Sequence, residues 1–187
     1  MAQSTTRTHG VKLNPLFIGS ASGERYHVQV PIEWDVRYHP TRHAEITNLP
    51  IQSSHLSQFA TNPPITKLQL VCDLLFPGWE IIARNPTGVT VQDVLEAIYE
   101  TLRGLLRTHE WEGMSLKQRS RIEDIHRARC MASLDPEYTR LAGVRRVDCL
   151  LSTTMFAGLT SLVRRRDQWQ VVLTLSRDFR PRRVYYH

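Results

Sequence analysis

The chain has 187 residues, a formal net charge of +6 at pH 7, and three widely spaced cysteines without a Cys-x-x-Cys pair. Its length suits one domain that buries well over half of the surface of the unfolded chain. A chain of this length requires no disulfide scaffold, and an odd number of scattered cysteines predicts reduced thiols in a cytoplasmic or nuclear protein. The N-terminus lacks an apolar run of signal-peptide length, and no run is long enough to span a bilayer, so no membrane partner is expected.

The charge is distributed unevenly along the chain. Residues 1–100 carry seven Arg or Lys and nine Asp or Glu, whereas residues 101–187 carry seventeen and nine. A basic half is typical of a protein with an anionic partner, but arginine also serves as an ordinary solvated surface residue.

The first third of the chain contains one clear strand pattern. Residues 1–27 are polar and predict a flexible N-terminal arm, in which the apolar group at residues 16–18 could dock. Residues 32–38 alternate between apolar and charged side chains, the period of a half-buried strand. Because Pro31 has no N–H to donate, this strand is predicted to lie at an edge or to begin at Ile32. Residues 41–66 are polar and proline-rich, which predicts a long irregular connection.

A hairpin and a helix are predicted in the middle of the chain. Residues 67–75 and 79–84 alternate on either side of a Phe-Pro-Gly turn, and a second turn at residues 85–88 leads into a helix over residues 90–109. Thr90 is a natural N-cap with Asp93 in the capping-box position. The apolar stripe that predicts the buried face of this helix consists of Val91, Val94, Leu95, Ile98, Leu102, Leu105 and Leu106.

The basic half predicts two more helices and two more strands. Ser115 caps a helix that ends near Met131, with Leu116, Ile122 and Ile125 inward and Arg119, Arg121, Arg127 and Arg129 largely outward. A short helix begins at Asp135-Pro136 and ends at Gly143. Residues 144–151 and 169–175 are predicted strands, residues 155–166 between them a loop, and residues 177–187 a basic flexible tail.

Together these elements predict an α+β fold with a single domain over residues 28–176. We expect an antiparallel sheet of four to five strands with about three helices mainly on one face. The predicted core consists of Trp34, Leu68, Leu70, Trp79, Ile81, Val94, Leu95, Ile98, Leu102, Ile125, Val171 and Leu173.

Several short motifs together resemble a known group of sequences. They are Ile-Glu-Trp-Asp-Val-Arg at residues 32–37, Ala-Thr-Asn-Pro-Pro at 60–64, Val-Thr-Val-Gln-Asp-Val-Leu at 89–95, Gly-Val-Arg-Arg-Val-Asp at 143–148 and Phe-Ala-Gly-Leu at 156–159. Over roughly residues 30–175 the chain resembles an uncharacterised domain family of fungi, mostly mushroom-forming ones. That family has no established activity, so the resemblance implies domain boundaries and no catalytic residues.

No motif predicts a cofactor or a metal. His39 and His43 are four residues apart, but Pro40 argues against the helix that would align them, and no Cys or carboxylate completes a zinc-site spacing. Nucleophile-elbow, phosphate-loop and dinucleotide-binding patterns are absent. Separated acid–base pairs, His39 with Asp35 or His126 with Glu123, keep a ribonuclease-like hydrolase open as an enzyme alternative.

The function predicted from these observations is an intracellular, non-catalytic interaction module. Its partner would be an unidentified protein or a second copy of the chain, bound through edge strands. The alternative is a basic RNA-binding or ribonuclease-like protein, with Trp169 or the tyrosines of the tail as stacking surfaces. The candidate residues for an anionic partner are Arg119, Arg121, Arg145, Arg146, Arg164, Arg165 and Arg166.

Overall fold

The computed structural model describes residues 10–21 and 28–177, and the mixture of helices and strands there confirms an α+β fold. The strands are β1 Lys12–Leu13, β2 Ser20–Ala21, β3 Val28–Gln29, β4 Ile32–Glu33, β5 Glu45–Ile46, β6 Leu49–Pro50, β7 Thr61–Asn62, β8 Lys67–Val71, β9 Ile81–Arg84, β10 Met155–Arg165 and β11 Gln168–Ser176. The helices are α1 Pro40–His43, α2 Ser53–Leu56, α3 Val91–Arg103, α4 Thr108–Glu112, α5 Leu116–Met131 and α6 Pro136–Leu141, with 3₁₀ helices at Pro15–Phe17 and Arg146–Leu150.

The largest sheet has the strand order β10-β11-β8-β9. β8 and β9 form the predicted antiparallel hairpin, and β10 and β11 form a second one. β11 and β8 are parallel, so the prediction of a wholly antiparallel sheet is wrong at its centre. The chain passes through four helices, α3 to α6, between these two strands, and such a long crossover lets β11 return in the direction of β8.

The predicted strand and the predicted loop around residue 150 are both wrong. The predicted loop after residue 154 is the long strand β10, and the predicted strand at residues 144–151 contains the 3₁₀ helix Arg146–Leu150. Register shifts in β10, where Gly158 and Ser161 have positive φ, interrupt the alternation that would have revealed a strand. In the 3₁₀ helix the Asp148 carboxylate accepts from the Arg145 amide at 2.8 Å and so caps the turn.

The capping box of α3 is confirmed. Thr90 Oγ1 accepts from the Asp93 amide at 3.2 Å, and Asp93 Oδ2 accepts from the Thr90 amide at 2.8 Å. α3 packs against β9, and the buried side chains of its stripe are Val91, Val94, Leu95, Ile98 and Leu102. Burying each aliphatic side chain of this kind contributes roughly 1.5–3 kcal/mol, so the stripe fixes the helix on the sheet.

The predicted continuation of α3 to residue 109 is wrong, because the helix ends at Arg103. Backbone bonds to residues 144–146 replace the helical ones: the Arg146 amide donates to the Gly104 carbonyl at 2.9 Å, and the Leu106 amide to the Val144 carbonyl at 3.0 Å. Leu105 is consequently 58 % exposed instead of lying on the buried stripe.

The predicted core is buried with one exception, Ile125, which is half-buried. Trp79 is buried but lies outside the main cluster. Leu116, predicted to point inward, is 81 % exposed, and α5 buries only Ile122 and Cys130.

The first third of the chain is built of short elements. Residues 10–21 belong to the described structure, where β1 pairs with β7 and Phe17 is fully buried. The predicted strand at 32–38 stops at Glu33 in β4, since the next residues turn. The predicted irregular connection at 41–66 contains most of α1, together with β5, β6, α2 and β7. Residues 1–9, 22–27 and 178–187, including most of the predicted tail, lie outside the described residues.

Candidate binding surface

The arginines predicted for an anionic partner occupy three places. Arg119 and Arg121 lie on α5, Arg145 and Arg146 lie at the 3₁₀ helix before β10, and residues 164–166 lie at the β10–β11 hairpin. The first two places are neighbours because α5 packs on that 3₁₀ helix.

Arg146 is part of a small cluster around Trp79. Its guanidinium lies 5.0 Å from the centre of the Trp79 ring, and its Nη2 lies 3.8 Å from Glu110 Oε1. The indole N–H of Trp79 donates to the same oxygen at 2.5 Å. Arg119 similarly lies over Trp111, at 5.8 Å, and donates to the Glu112 carbonyl. Both arginines therefore serve packing, and neither is an open cation.

The pKa of Glu110 is lowered from its ordinary value. Burial acts in the opposite direction and raises the pKa, but hydrogen bonds from the Arg107 amide and the Trp79 indole, together with the nearby Arg146 charge, outweigh it. The Glu110 carboxylate is thus held ionised between Trp79 and the start of α4.

Arg129, predicted to point outward, is turned into the protein. Its Nε and Nη2 donate to the two carboxylate oxygens of Asp148 at 2.9 and 2.8 Å, and Nη2 also donates to the Gly143 carbonyl at 3.0 Å. The Asp148 side chain is only 2 % exposed, so the arginine supplies its counter-charge. This pair fastens α5 to the 3₁₀ helix.

The four-stranded sheet has one covered face and one open face. Leu68, Ile81 and Val171 point to the covered face and join the α3 stripe in the core. Alternate residues point the other way, where Val71 and Val172 are 42 % and 38 % exposed. Gln170 Nε2 donates to Gln69 Oε1 at 2.8 Å, so β11 and β8 present these residues on the same side.

Three cations cross one end of the open face. Lys67 pairs with Arg84, and Arg165 pairs with Gln168. The first paired residues of β11 and β8 are Trp169 and Leu68, so Gln168 and Lys67, one residue earlier on each strand, lie at the same level of the sheet. We call Arg84, Lys67 and Arg165 the basic row. Within the described part of the chain, their side chains make no ion pair or hydrogen bond.

The remaining positions of the open face are amides and small apolar residues. Ile82, Gln69, Gln170 and Val163 form the level next to the basic row, followed by Val71, Val172 and Thr160. No acidic or aromatic side chain occurs at these positions. The open face is therefore moderately apolar and positively charged at one end.

Only Arg165 of the predicted anion-binding residues belongs to the basic row. Arg164 pairs with Trp169, so its position alternates with that of Arg165 and belongs to the opposite face of the sheet. Its Nη2 lies 3.6 Å from Asp167 Oδ1. Lys67 and Arg84 were missed by sequence reasoning, although the hairpin alternation that predicts Leu68 and Ala83 inward also predicts both cations outward.

In the two predicted acid–base pairs, His39 with Asp35 and His126 with Glu123, both histidines and Asp35 contact other residues. Arg37 binds the Asp35 carboxylate, whereas His39 Nδ1 lies 2.9 Å from Thr41 Oγ1, and the His39 ring packs edge-on against Tyr99 at 4.9 Å. His126 Nε2 lies 3.4 Å from Cys130 Sγ on α5. Among the described residues there is no metal-binding cluster of three or more His, Cys, Asp or Glu. The described helices also include none that is long and apolar enough to cross a bilayer.

The comparisons with known proteins agree with the predicted resemblance to an uncharacterised family. No curated protein and no solved structure matches the chain significantly. A model described as a family of unknown function (DUF6699) matches residues 32–168, from β4 to the first residue of β11. Because this match covers most of the sequence, the chain belongs to that family of unknown function.

Proposed function

We propose that this protein is a non-catalytic binding module that holds an acidic segment of another protein on the open face of its sheet. The observation that carries the proposal is the basic row: three cations, without an ion pair to any described residue, level with one another at the end of an exposed sheet surface. Unpaired cations on a rigid sheet favour an anionic partner through charge complementarity.

The spacing of the basic row suits an extended peptide. Arg84 and Arg165 are three strands apart, which corresponds to about 14 Å between their backbones. Side chains on one side of an extended peptide recur about every 7 Å. A peptide lying along the row would therefore place about three carboxylates over it.

The composition of the open face favours a protein over a nucleic acid. Proteins that bind single-stranded nucleic acid stack bases on aromatic side chains. Here the exposed side chains beyond the basic row are Val71, Val172 and their amide neighbours, while Trp169 is half-buried on the opposite face of the sheet. Valine and isoleucine side chains suit contact with another polypeptide.

The proposal also covers the cellular location, the source and the alternative partner of the protein. We infer an intracellular protein, cytoplasmic or nuclear, because the cysteines are unpaired and scattered. The motif resemblance supports a fungal source. A second copy of the chain is the alternative protein partner, since β9 ends the sheet and its backbone makes no bond to described residues beyond β8.

The test is binding of a labelled peptide of alternating Glu and Thr, measured by fluorescence anisotropy at low salt. The matched peptide has Gln in place of Glu, and a single-stranded RNA of similar length is the competing probe. We expect binding of the acidic peptide that weakens as salt is raised, and weaker binding of the Gln peptide, because exposed charges are screened. A light-scattering measurement of the same sample reports self-association.

Charge reversal identifies the surface. The triple variant Lys67→Glu, Arg84→Glu, Arg165→Glu should lose binding by about tenfold or more, equivalent to roughly 1.4 kcal/mol. The control triple variant Arg103→Glu, Arg127→Glu, Arg140→Glu makes the same change in net charge at exposed helical positions and should bind as the natural chain does. Equal losses in both variants, or no binding at low salt, would contradict the proposal. Tighter binding of RNA through the basic row would instead establish the nucleic-acid alternative.

A further inference from the structure

A groove separate from the open sheet face lies between the turn after β8, α5 and the residue that follows the 3₁₀ helix Arg146–Leu150. Its volume is about 260 Å³. Its apolar lining residues are Leu74, Phe76, Met114, Ile122 and Leu151. Met114 and Ile122 are each 4 % exposed, whereas Leu74 is 49 % exposed at the rim. The groove is therefore buried at Met114 and Ile122 and open near Leu74, and Gln118, Arg121 and Cys149 add polar groups to its apolar lining.

The size of the groove limits its occupant. Ligand pockets in proteins typically have volumes of roughly 300–1,000 Å³, so a groove of about 260 Å³ lies just below the small end of that range. This is enough for a short alkyl chain and too little for a folded segment of protein. Small-molecule sites combine apolar walls of this kind with a few polar groups that fix orientation.

Two polar side chains at the groove favour a negatively charged head group. Gln118, Arg121 and Ile122 are three and four residues apart on α5 and so lie on one side of the helix. The Gln118 side-chain oxygen accepts from the amide and hydroxyl of Ser115, which leaves the amide N–H groups as donors. In the part of the chain that the structure describes, Arg121 makes no hydrogen bond or ion pair.

Two other arginines of α5 already form ion pairs with carboxylates of the chain. Arg127 pairs with Asp124 at 3.1 Å, and Arg129 pairs with Asp148 at 2.8 Å. Arg121 differs because it has no such carboxylate partner among the described residues and borders the groove, so it can make a charge-assisted hydrogen bond to an anionic ligand there.

The groove offers no negative charge of its own to satisfy Arg121. Cys149 lines it, and burial, with smaller contributions from Asp148 and Glu110, raises the pKa of this thiol to about 12, so the thiol is neutral at pH 7. Both carboxylates are already engaged, Asp148 by Arg129 and Glu110 by Trp79 and the Arg107 amide.

We propose that this groove binds a small amphipathic carboxylate, with its alkyl chain between Leu74, Phe76 and Ile122 and its carboxylate on Arg121 and Gln118. The site is independent of the basic row. It would give the protein a small-molecule ligand in addition to a protein partner.

The test uses octanoate as the probe, with octanol as the matched uncharged molecule. Isothermal titration calorimetry should show saturable binding of octanoate and at least about tenfold weaker binding of octanol, the effect expected when a charge-assisted hydrogen bond is lost. Methyl NMR localises the site: octanoate should shift the Met114 methyl signal in the groove and leave that of Met131, which is 78 % exposed, unchanged.

Three variants complete the experiment. Arg121→Gln and Leu74→Glu should each weaken octanoate binding by about tenfold or more, the first by removing the cation and the second by adding a repelling carboxylate. Both positions are exposed, so the variants should fold, which thermal unfolding checks. The control Arg127→Gln removes an arginine of the same helix that lies outside the groove and should leave affinity unchanged. No saturable binding, equal affinity for octanol, or a Met114 signal that does not move would overturn the proposal.

Discussion

The pair of Arg129 and Asp148 shows how a surface-type residue becomes structural. The arginine side chain is 21 % exposed and that of the aspartate 2 %, and two parallel hydrogen bonds join them. The carboxylate also accepts from the Arg145 amide, so one buried charge organises both the end of α5 and the 3₁₀ helix. Removing one partner of such a pair leaves the other charge buried and uncompensated.

We therefore predict a large loss of stability in Arg129→Met. The expected decrease in the free energy of unfolding is about 3 kcal/mol, near the lower end for broken buried pairs because the arginine is partly exposed. Arg127→Met is the control, since its pair with Asp124 is mostly exposed and such pairs contribute about 0.5 kcal/mol or less. Urea unfolding measures both variants, and equal losses would contradict a structural role specific to Arg129.

Glu110 gives the protein a component of stability that depends on pH. Its folded-state pKa is lower than the ordinary value of 4.5, so the ionised form is favoured by folding. This contribution is fully present above pH 4.5 and is lost as the pH falls through the folded-state pKa.

We predict that Glu110→Gln abolishes this component. The amide has one acceptor oxygen in place of two, so it can accept from the Trp79 indole or from the Arg107 amide but not from both, and it does not attract Arg146. The variant should be less stable than the natural chain at neutral pH, and the difference should shrink as the pH falls below 4.5 and through the lowered folded-state pKa, because the natural carboxyl is then increasingly protonated. Urea unfolding at neutral pH and at a series of pH values below 4.5 measures it. A difference that stays constant with pH would show that shape, and not charge, matters at this position.

At the scale of elements, α3 and α5 are stabilised differently. α3 buries an unbroken stripe from Val91 to Leu102 against the sheet. α5 is longer but buries only Ile122 and Cys130, and the pair of Arg129 and Asp148 is its main polar attachment. Segments with few buried apolar contacts open at lower free energy than the core.

We predict that α5 and α6 exchange their amide hydrogens faster than α3 does. Hydrogen–deuterium exchange under native conditions should show protection of residues 94–102 approaching that of β8 and β11, and lower protection of residues 120–141. In Arg129→Met the difference should widen, because the attachment of α5 is lost. Equal protection of α3 and α5 would mean that both open only when the whole domain unfolds.

β10 shows why some elements escape prediction. Its register with β11 shifts twice, between Phe156 and Leu159 and between Thr160 and Val163. Each bulge reverses the parity of the side chains that follow, so an eleven-residue strand shows no continuous alternation. Gly158 fits this site because a Cβ there would lie 2.8 Å from the Phe17 carbonyl oxygen. The reason for the glycine thus lies in a segment 141 positions away.

At the scale of the whole molecule, the sheet brings together residues from three parts of the chain. Lys67 and Arg84 come from one hairpin and Arg165 from the other, and the parallel pairing of β8 with β11 aligns them. The basic row is therefore a property of the tertiary structure. The groove beside Arg121 is another, since α5 and the turn after β8 form it jointly.

The sequence by itself determined the elements whose causes are local. Thr90 and Asp93 cap α3 within one turn, the apolar stripe defines its buried face, and alternation defines the β8–β9 hairpin. Only the tertiary structure decided the parallel pairing of β11 with β8, the inward direction of the Arg129 side chain and the alignment of Arg165 with Lys67 in one row. Gln170 and Gln69 bond across 101 positions, and no periodicity of side chains along the chain encodes a contact over that separation. Such contacts follow from burial summed over the whole core, which a local pattern does not contain.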